Sequence, residues 1–202
     1  MSFTTKQMEN NTFEIIACSI FRYELEKIAQ IQGLKIPISF YDSYLHLFPA
    51  QLSANLSEKV ENKLKEHKKV ILVCGDCHPF MKEMSQKKNV TKVAGCNCVE
   101  IMIGHELRRK LLKQGAFFLL PEWTARWKDI FKELLELPSE HIKSIMNEQH
   151  KKFVYLDTGV LPVPYKEIEE CAAFFNLPYE IEAISIDFLI NAIQTEISNL
   201  ND

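Results

Sequence analysis

The sequence predicts an α/β protein with a mostly parallel sheet and helices on both faces, in a three-layer, Rossmann-like arrangement. Short apolar runs alternate along the chain with longer segments in which apolar residues recur three or four positions apart. This alternation of strands with helices is typical of parallel sheets. The clearest strand is VILV at residues 70–73, an apolar and largely β-branched run that predicts burial on both faces.

The other elements have local signals of their own. Gly33 and Gly115 follow helical runs and predict helix ends. Pro37, near the start of the second strand, favours a position at the edge of the sheet. The predicted strands are residues 13–18, 36–41, 70–73, 90–94, 116–120, 153–156 and 179–183. The predicted helices are residues 20–32, 53–67, 80–86, 101–114, 121–135, 139–150, 165–175 and 186–197.

Length and charge limit the classes of protein that the chain can represent. Residues 1–12 are polar and predict a flexible N-terminus, and residues 13–202 predict a single α/β domain. The net charge of −3 gives no electrostatic footprint for nucleic acid. No apolar run reaches the roughly 18 residues that a membrane span needs, and the polar N-terminus is unlike a secretory signal. We therefore expect a cytoplasmic protein that binds neither nucleic acid nor membranes. The six cysteines are then expected to be free, metal-bound or catalytic rather than disulfide-bonded.

The best chemical clue is the position of the cysteines. Cys18 ends the first predicted strand, Cys74 or Cys77 follows the third, and Cys96 or Cys98 follows the fourth. The carboxyl ends of neighbouring parallel strands meet at one edge of a sheet, so we expect these thiols to face one crevice. Clustered thiolates select zinc or iron–sulfur clusters, and three ligands with a fourth position open are typical of a reactive centre.

The same cysteines permit other interpretations. Cys74 and Cys77 form a C-x-x-C pair that also fits a dithiol redox motif. Together with Cys96 and Cys98 they would make a four-cysteine zinc site. Cys171 lies on an apolar helical face and is expected to be a packing residue.

Two further residues are candidates for catalysis. His78 adjoins the third-strand cysteines and could act as an acid–base group. Asp157 begins an Asp-Thr-Gly turn after the sixth strand, which suits a ligand-binding turn. His46, in the loop after the second strand, could line the same crevice. The chain contains neither a G-x-G-x-x-G nor a P-loop nor a G-x-S-x-G motif, so dinucleotide, ATP and serine-hydrolase chemistry have no motif support.

The chain resembles the uncharacterised DUF1638 proteins, found mostly in methanogenic archaea and anaerobic bacteria. The resemblance extends from about Phe13 to Ile193. It implies an α/β fold, three family-typical cysteines, and an association with corrinoid-dependent methyl-transfer systems. Cys96 stands where the family usually has histidine, a departure that would alter a ligand set. The residues that carry the resemblance are Ile15–Cys18, Pro49, Ala50, Leu52, Gly75, Cys77, Cys98, Leu120, Pro121, Trp123 and Tyr155–Gly159.

These observations combine into a functional expectation. We expect a metalloprotein of anaerobic one-carbon, corrinoid-linked or sulfur metabolism, in which Cys18, Cys77 and Cys98 bind a [4Fe-4S] cluster open to a small-molecule substrate. Cys96 could be a fourth ligand. Two alternatives stay open. One is a zinc–thiolate protein in thiol or methyl transfer, and the other is a non-enzymatic accessory protein that binds a corrinoid protein or methyltransferase.

Overall fold

The computed structural model describes residues 12–33, 35–135 and 138–201. It confirms the predicted α/β class: parallel strands alternate with helices along the chain. The strands are β1 (Phe13–Cys18), β2 (Ile38–Tyr41), β3 (Lys69–Val73), β4 (Val90–Lys92), β5 (Ala116–Leu119), β6 (Lys152–Asp157) and β7 (Tyr179–Ala183). The α-helices are α1 (Arg22–Gln32), α2 (Pro49–Lys65), α3 (Phe80–Ser85), α4 (Cys98–Lys113), α5 (Pro121–Ala125), α6 (Trp127–Leu135), α7 (Ser139–Gln149), α8 (Tyr165–Phe175) and α9 (Asp187–Asn201).

The strands form two sheets, and the chain divides into two compact units. Unit 1 extends to Met102 and resumes at Ile186, and unit 2 is Ile103–Ser185. The strands of unit 1 have the order β2-β1-β3-β4, and those of unit 2 the order β5-β6-β7. All described pairings in both sheets are parallel.

Unit 1 has a central strand covered on both faces. Every residue of β1 is buried, and α2 and α9 both pack on β3. Helix α2 buries Leu52, Leu56 and Val60, which recur four residues apart. As Pro37 predicted, β2 is an edge strand.

Unit 2 has an aromatic core. Trp127, Phe153, Tyr155 and Phe175 are buried in it, and the rings of Phe131 and Phe175 lie 4.7 Å apart in an edge-to-face arrangement. Its sheet is shielded by α5, α8 and the helices packed on them.

Several element boundaries differ from the predicted ones, for local reasons. Helix α2 begins at Pro49 rather than near residue 53, because proline suits the first turn of a helix. The predicted helix over residues 121–135 is broken at Arg126 into α5 and α6. Helix α4 is kinked at Gly104, whose φ of 73° is outside the helical range. Part of the predicted loop after β2 is a 3₁₀ helix, Ser43–Leu47.

Within the described ranges, no helix combines the length and the apolar character that crossing a membrane requires.

Candidate functional site

The strand order of unit 1 brings the predicted cysteines to one edge of the sheet. From β1 the chain goes to one side to form β2 and then to the other side to form β3, so the connections reverse between β1 and β3. Such a reversal is where open parallel sheets bind ligands, beyond the carboxyl ends of the strands. Cys18 ends β1, and Cys74 directly follows β3 on the other side of the reversal.

The turns that follow β3 and β4 are in close contact. We call residues 74–77 the β3 turn and residues 93–97 the β4 turn. The Asp76 N–H donates to the Cys96 carbonyl at 3.1 Å. A β-carbon on Gly75 would lie 2.4 Å from the Cα of Asn97, which real atoms do not tolerate. Only glycine at residue 75 therefore lets the β4 turn approach this closely.

Cys98 is placed by the start of α4. The Asn97 side-chain oxygen accepts the Glu100 N–H at 2.9 Å, and its backbone carbonyl accepts the Ile101 N–H at 3.1 Å. Asn97 is thus the N-cap of α4, and Cys98 is the first helical residue. The cap fixes the direction in which Cys98 leaves the β4 turn.

Three of the predicted cysteines, Cys18, Cys98 and Cys77, are neighbours in the structure. Hydrogen bonding to Cys18 and to Cys77 raises the pKa of the Cys98 thiol, and burial adds to this rise. Hydrogen bonding from Cys98 and then from His46 lowers the pKa of Cys77 to about 5, against the opposing effect of burial. These contacts form a series Cys18–Cys98–Cys77–His46 in which Cys77 is the favoured thiolate.

Two histidines lie beside Cys77. Hydrogen bonding to Cys77 raises the pKa of His46, although burial opposes the rise. A ring nitrogen of His78 lies 3.0 Å from the His46 carbonyl, and the two rings are 5.1 Å apart. His78 also stacks on Phe80, with the ring planes 6° from parallel. His78 therefore holds the loop that presents His46 to Cys77.

Tyr41 is a site residue that the sequence reasoning did not identify. It is buried at the end of β2, next to Cys18 in the sheet register. Burial raises the pKa of its phenol, and so do Cys74, Cys18 and Cys98 around it. Cys74 is 1% exposed, hydrogen-bonds to Tyr41, and has its pKa raised by burial to about 12. At neutral pH, Cys74 is a protonated thiol at the base of the site.

The other predicted residues lie in different surroundings. Cys96 is exposed: its thiol lies 3.1 Å from Glu100 Oε2 and 3.4 Å from Asn97 Nδ2. Asp157 belongs to unit 2, where its carboxylate accepts the Gly159 N–H at 2.8 Å. Cys171 is buried in the aromatic core of unit 2, as expected for a packing residue, and burial raises its pKa to about 12.

The arrangement of these side chains can be compared with what a single metal ion and an iron–sulfur cluster each require. In the part of the chain that the structure describes, no three His, Cys, Asp or Glu side chains are arranged to hold a single metal ion. One zinc ion requires its sulfur ligands about 2.3 Å from a common point. A cluster binds each thiolate to a different iron, so its ligands need not converge on one point. Contacts link Cys98 to Cys18 and to Cys77, so the three thiols are neighbours, as the ligands of a cluster must be.

A family model described as "Protein of unknown function (DUF1638)" matches residues 40–193. The chain belongs to the DUF1638 family. The DUF1638 match includes Cys77, Cys98 and both histidines of the site, but it begins after β1 and so leaves Cys18 outside. No curated protein and no solved structure matches the chain.

Proposed function

We propose that Cys18, Cys77 and Cys98 bind an iron–sulfur cluster of the [4Fe-4S] type, in a protein that acts on a small molecule. The observation that carries this proposal is the series of contacts that links the three thiols at the reversal of the unit 1 sheet. The three residues are far apart in sequence, and a packing role for each would not require them to meet. Thiolate ligands suit iron–sulfur clusters, and three protein ligands would leave one iron for a substrate.

The surrounding side chains support a reactive role. Cys18 is 7% exposed and would anchor the buried side of the cluster, whereas Cys77 is partly exposed and His46 is on the surface. A small molecule would therefore approach from the side of Cys77 and His46. When bound, the cluster would supply Lewis-acid or electron-transfer chemistry. His46 would hold a proton near that opening, and His78 would keep His46 in place.

Three finer assignments stay predictions. His78 and Asp157 are proposed catalytic residues, although each has a structural contact that accounts for its position. Cys96 is a proposed fourth ligand, which would have to turn away from Glu100. A cytoplasmic role in anaerobic one-carbon or corrinoid-linked metabolism, or in sulfur metabolism, is supported only by the association that the family resemblance carries.

The experiment is to quantify iron, acid-labile sulfide and zinc in protein kept anoxic throughout. We expect about four iron and four sulfide per chain, with a broad absorbance near 400 nm. Cys77→Ser and Cys98→Ser should each lose most of the iron. Cys171→Ala is the matched control and should keep it, because Cys171 belongs to the core of unit 2.

The other outcomes separate the alternatives. Stoichiometric zinc without acid-labile sulfide would contradict the proposed cluster and support the zinc–thiolate alternative. Metal-free protein from iron-replete anoxic cells would overturn both proposals. If that protein and its Cys18→Ser/Cys77→Ser/Cys98→Ser variant then captured a corrinoid protein equally well, the non-enzymatic accessory role would hold.

A further inference from the structure

Lys92, the last residue of β4, has unusual surroundings for a lysine. Its side chain is 9% exposed, and its ammonium lies 3.2 Å from Asp76 Oδ1. The same nitrogen donates to the Val93 carbonyl at 2.8 Å, to that of Gly95 at 3.4 Å, and to that of Cys74 at 3.5 Å. An ammonium is rarely buried unless charged or polar partners compensate it, and here an acid and three carbonyls do so.

These partners belong to both cysteine turns. Cys74 and Asp76 are in the β3 turn, and Val93 and Gly95 are in the β4 turn. Lys92 thus bridges two segments that are otherwise joined in this region by the Asp76–Cys96 backbone hydrogen bond and by the close approach at Gly75. Cys77 and Cys98 extend from these turns, so the separation of the two thiols depends on the bridge.

The charge of Lys92 also acts on the site. It lowers the pKa of Cys74, against the larger effect of burial. A cluster held by three thiolates carries a net negative charge that grows when one electron is added. Lys92 donates to the carbonyl of Cys74, three residues before the proposed ligand Cys77. A buried cation near a cluster stabilises its more negative state and makes the reduction potential less negative.

We propose that Lys92 is a positioning residue that holds the two cysteine turns together and sets the reduction potential of the cluster. The second part rests on the proposed function, whereas the first concerns the protein with or without a cluster. Two variants test these roles. Lys92→Met keeps a long side chain but loses both charge and hydrogen bonds, and Lys92→Arg keeps the charge.

The matched control is Lys152→Met. Lys152 is also a strand lysine with a largely buried side chain, 14% exposed, and one close acidic partner, Glu180, at 2.6 Å. It lies in unit 2, where its ammonium donates to Gln114 and Glu180. Its loss should therefore affect neither readout described below.

The first readout is amide hydrogen exchange in the metal-free protein. We expect amide exchange in the β3 and β4 turns to become about ten-fold faster in Lys92→Met than in wild type. The turns of the variant can open without breaking the contacts of Lys92, so opening costs less free energy. Unchanged exchange in both turns would overturn the bridging role. The hydrogen-exchange experiment tests the bridging role of Lys92 even if the protein binds no cluster.

The second readout is the midpoint potential of the anoxic, loaded protein, titrated with dithionite, which supplies the single electron that takes the cluster from its 2+ to its 1+ state. We expect a more negative potential in Lys92→Met and a value close to wild type in Lys92→Arg. An equal shift in both variants, or no shift in Lys92→Met, would overturn the charge role. Wild-type protein without iron and sulfide would instead overturn the proposed function, and the charge role with it.

Discussion

The two sheets of this protein have the same parallel architecture but different edges. In unit 1 the strand order β2-β1-β3-β4 reverses between β1 and β3, whereas β5, β6 and β7 of unit 2 follow one another in sequence order. Cysteines collect at the carboxyl edge of the first sheet. In the second sheet, the last residue of β6 is Asp157, whose carboxylate accepts the Gly159 N–H of the turn that follows.

This difference indicates where a parallel sheet can form a binding crevice. At a reversal, the helices that follow two adjacent strands diverge to opposite faces and leave a crevice between the strand ends. Without a reversal, successive connections lie on the same face and cover the strand ends more evenly. A parallel strand alone does not create such a crevice, and only the first of the two described sheets has the reversal that does.

The cysteines of the two units show the same contrast at single residues. Cys77 is partly exposed and has its pKa lowered to about 5 by Cys98 and His46. Cys171 is 0% exposed, and burial raises its pKa to about 12. A thiol is thus reactive or inert according to its neighbours, not its residue type.

The largest expected effect comes from glycine substitutions at the two edges. Gly75→Ala should lower the free energy of unfolding by about 3 kcal/mol, since its β-carbon would overlap the Asn97 backbone. It should also abolish iron binding, because the β4 turn must move away. Urea unfolding and iron analysis measure both effects.

Gly159→Ala in unit 2 is the control for this substitution. Its β-carbon would meet nothing within 4 Å, so only its φ of 65° is strained, at about 1 kcal/mol. Equal losses of stability from the two variants would show that the close approach at Gly75 does not distinguish the site edge.

The second effect is the pH dependence of thiol labelling in metal-free protein. With its pKa near 5, Cys77 is already a thiolate at pH 6, so its alkylation by iodoacetamide should change less than about two-fold between pH 6 and 8. An ordinary thiol would speed up about a hundred-fold over that range. Peptide mass spectrometry measures the rate at each cysteine.

Two variants sharpen the labelling experiment. Cys98→Ala should restore a rise of rate with pH at Cys77, because the hydrogen bond from Cys98 is the largest cause of the low pKa. His46→Gln should do so to a smaller degree. Cys171 should stay unlabelled in the folded protein at every pH tested. A steep profile at Cys77 in the wild-type protein would contradict the proposed series of contacts.

Much of the site could be predicted because its geometry follows from local patterns. Cys18, Cys77 and Cys98 each follow an apolar run, and the carboxyl ends of parallel strands share an edge. Lys92 and Tyr41 could not be found in this way. A lysine or tyrosine at a strand end is usually at the surface. These two are buried by contacts with residues distant in sequence, such as Asp76 beside Lys92 and Cys74 beside Tyr41.

The division of the strands into two sheets also could not be predicted from local sequence patterns. The apolar run of β5 has the same character as the runs of unit 1, and nothing within it specifies its partner. Pairing is decided by contacts between distant residues, such as Phe117 with Phe153 in the sheet register of unit 2. Local sequence therefore predicted the strands but not their assignment to sheets.

The third effect concerns the packing cysteine. Cys171→Ala removes a sulfur atom from the aromatic core and should lower the free energy of unfolding by about 1 kcal/mol. Iron content should stay at the wild-type level, in contrast with Cys77→Ser. Loss of iron from a Cys171→Ala protein that remains folded would show that the two units do not divide the roles of their cysteines as proposed.

The smallest effect is expected at the edge of unit 2. Asp157→Asn keeps a side-chain oxygen that can accept the Gly159 N–H, so stability should change by less than about 0.5 kcal/mol. Asp157→Ala loses this bond and should cost about 1 kcal/mol. Urea unfolding measures both variants. Equal losses of stability from Asp157→Asn and Asp157→Ala would show that the hydrogen bond to Gly159 is not what Asp157 contributes at the edge of the second sheet.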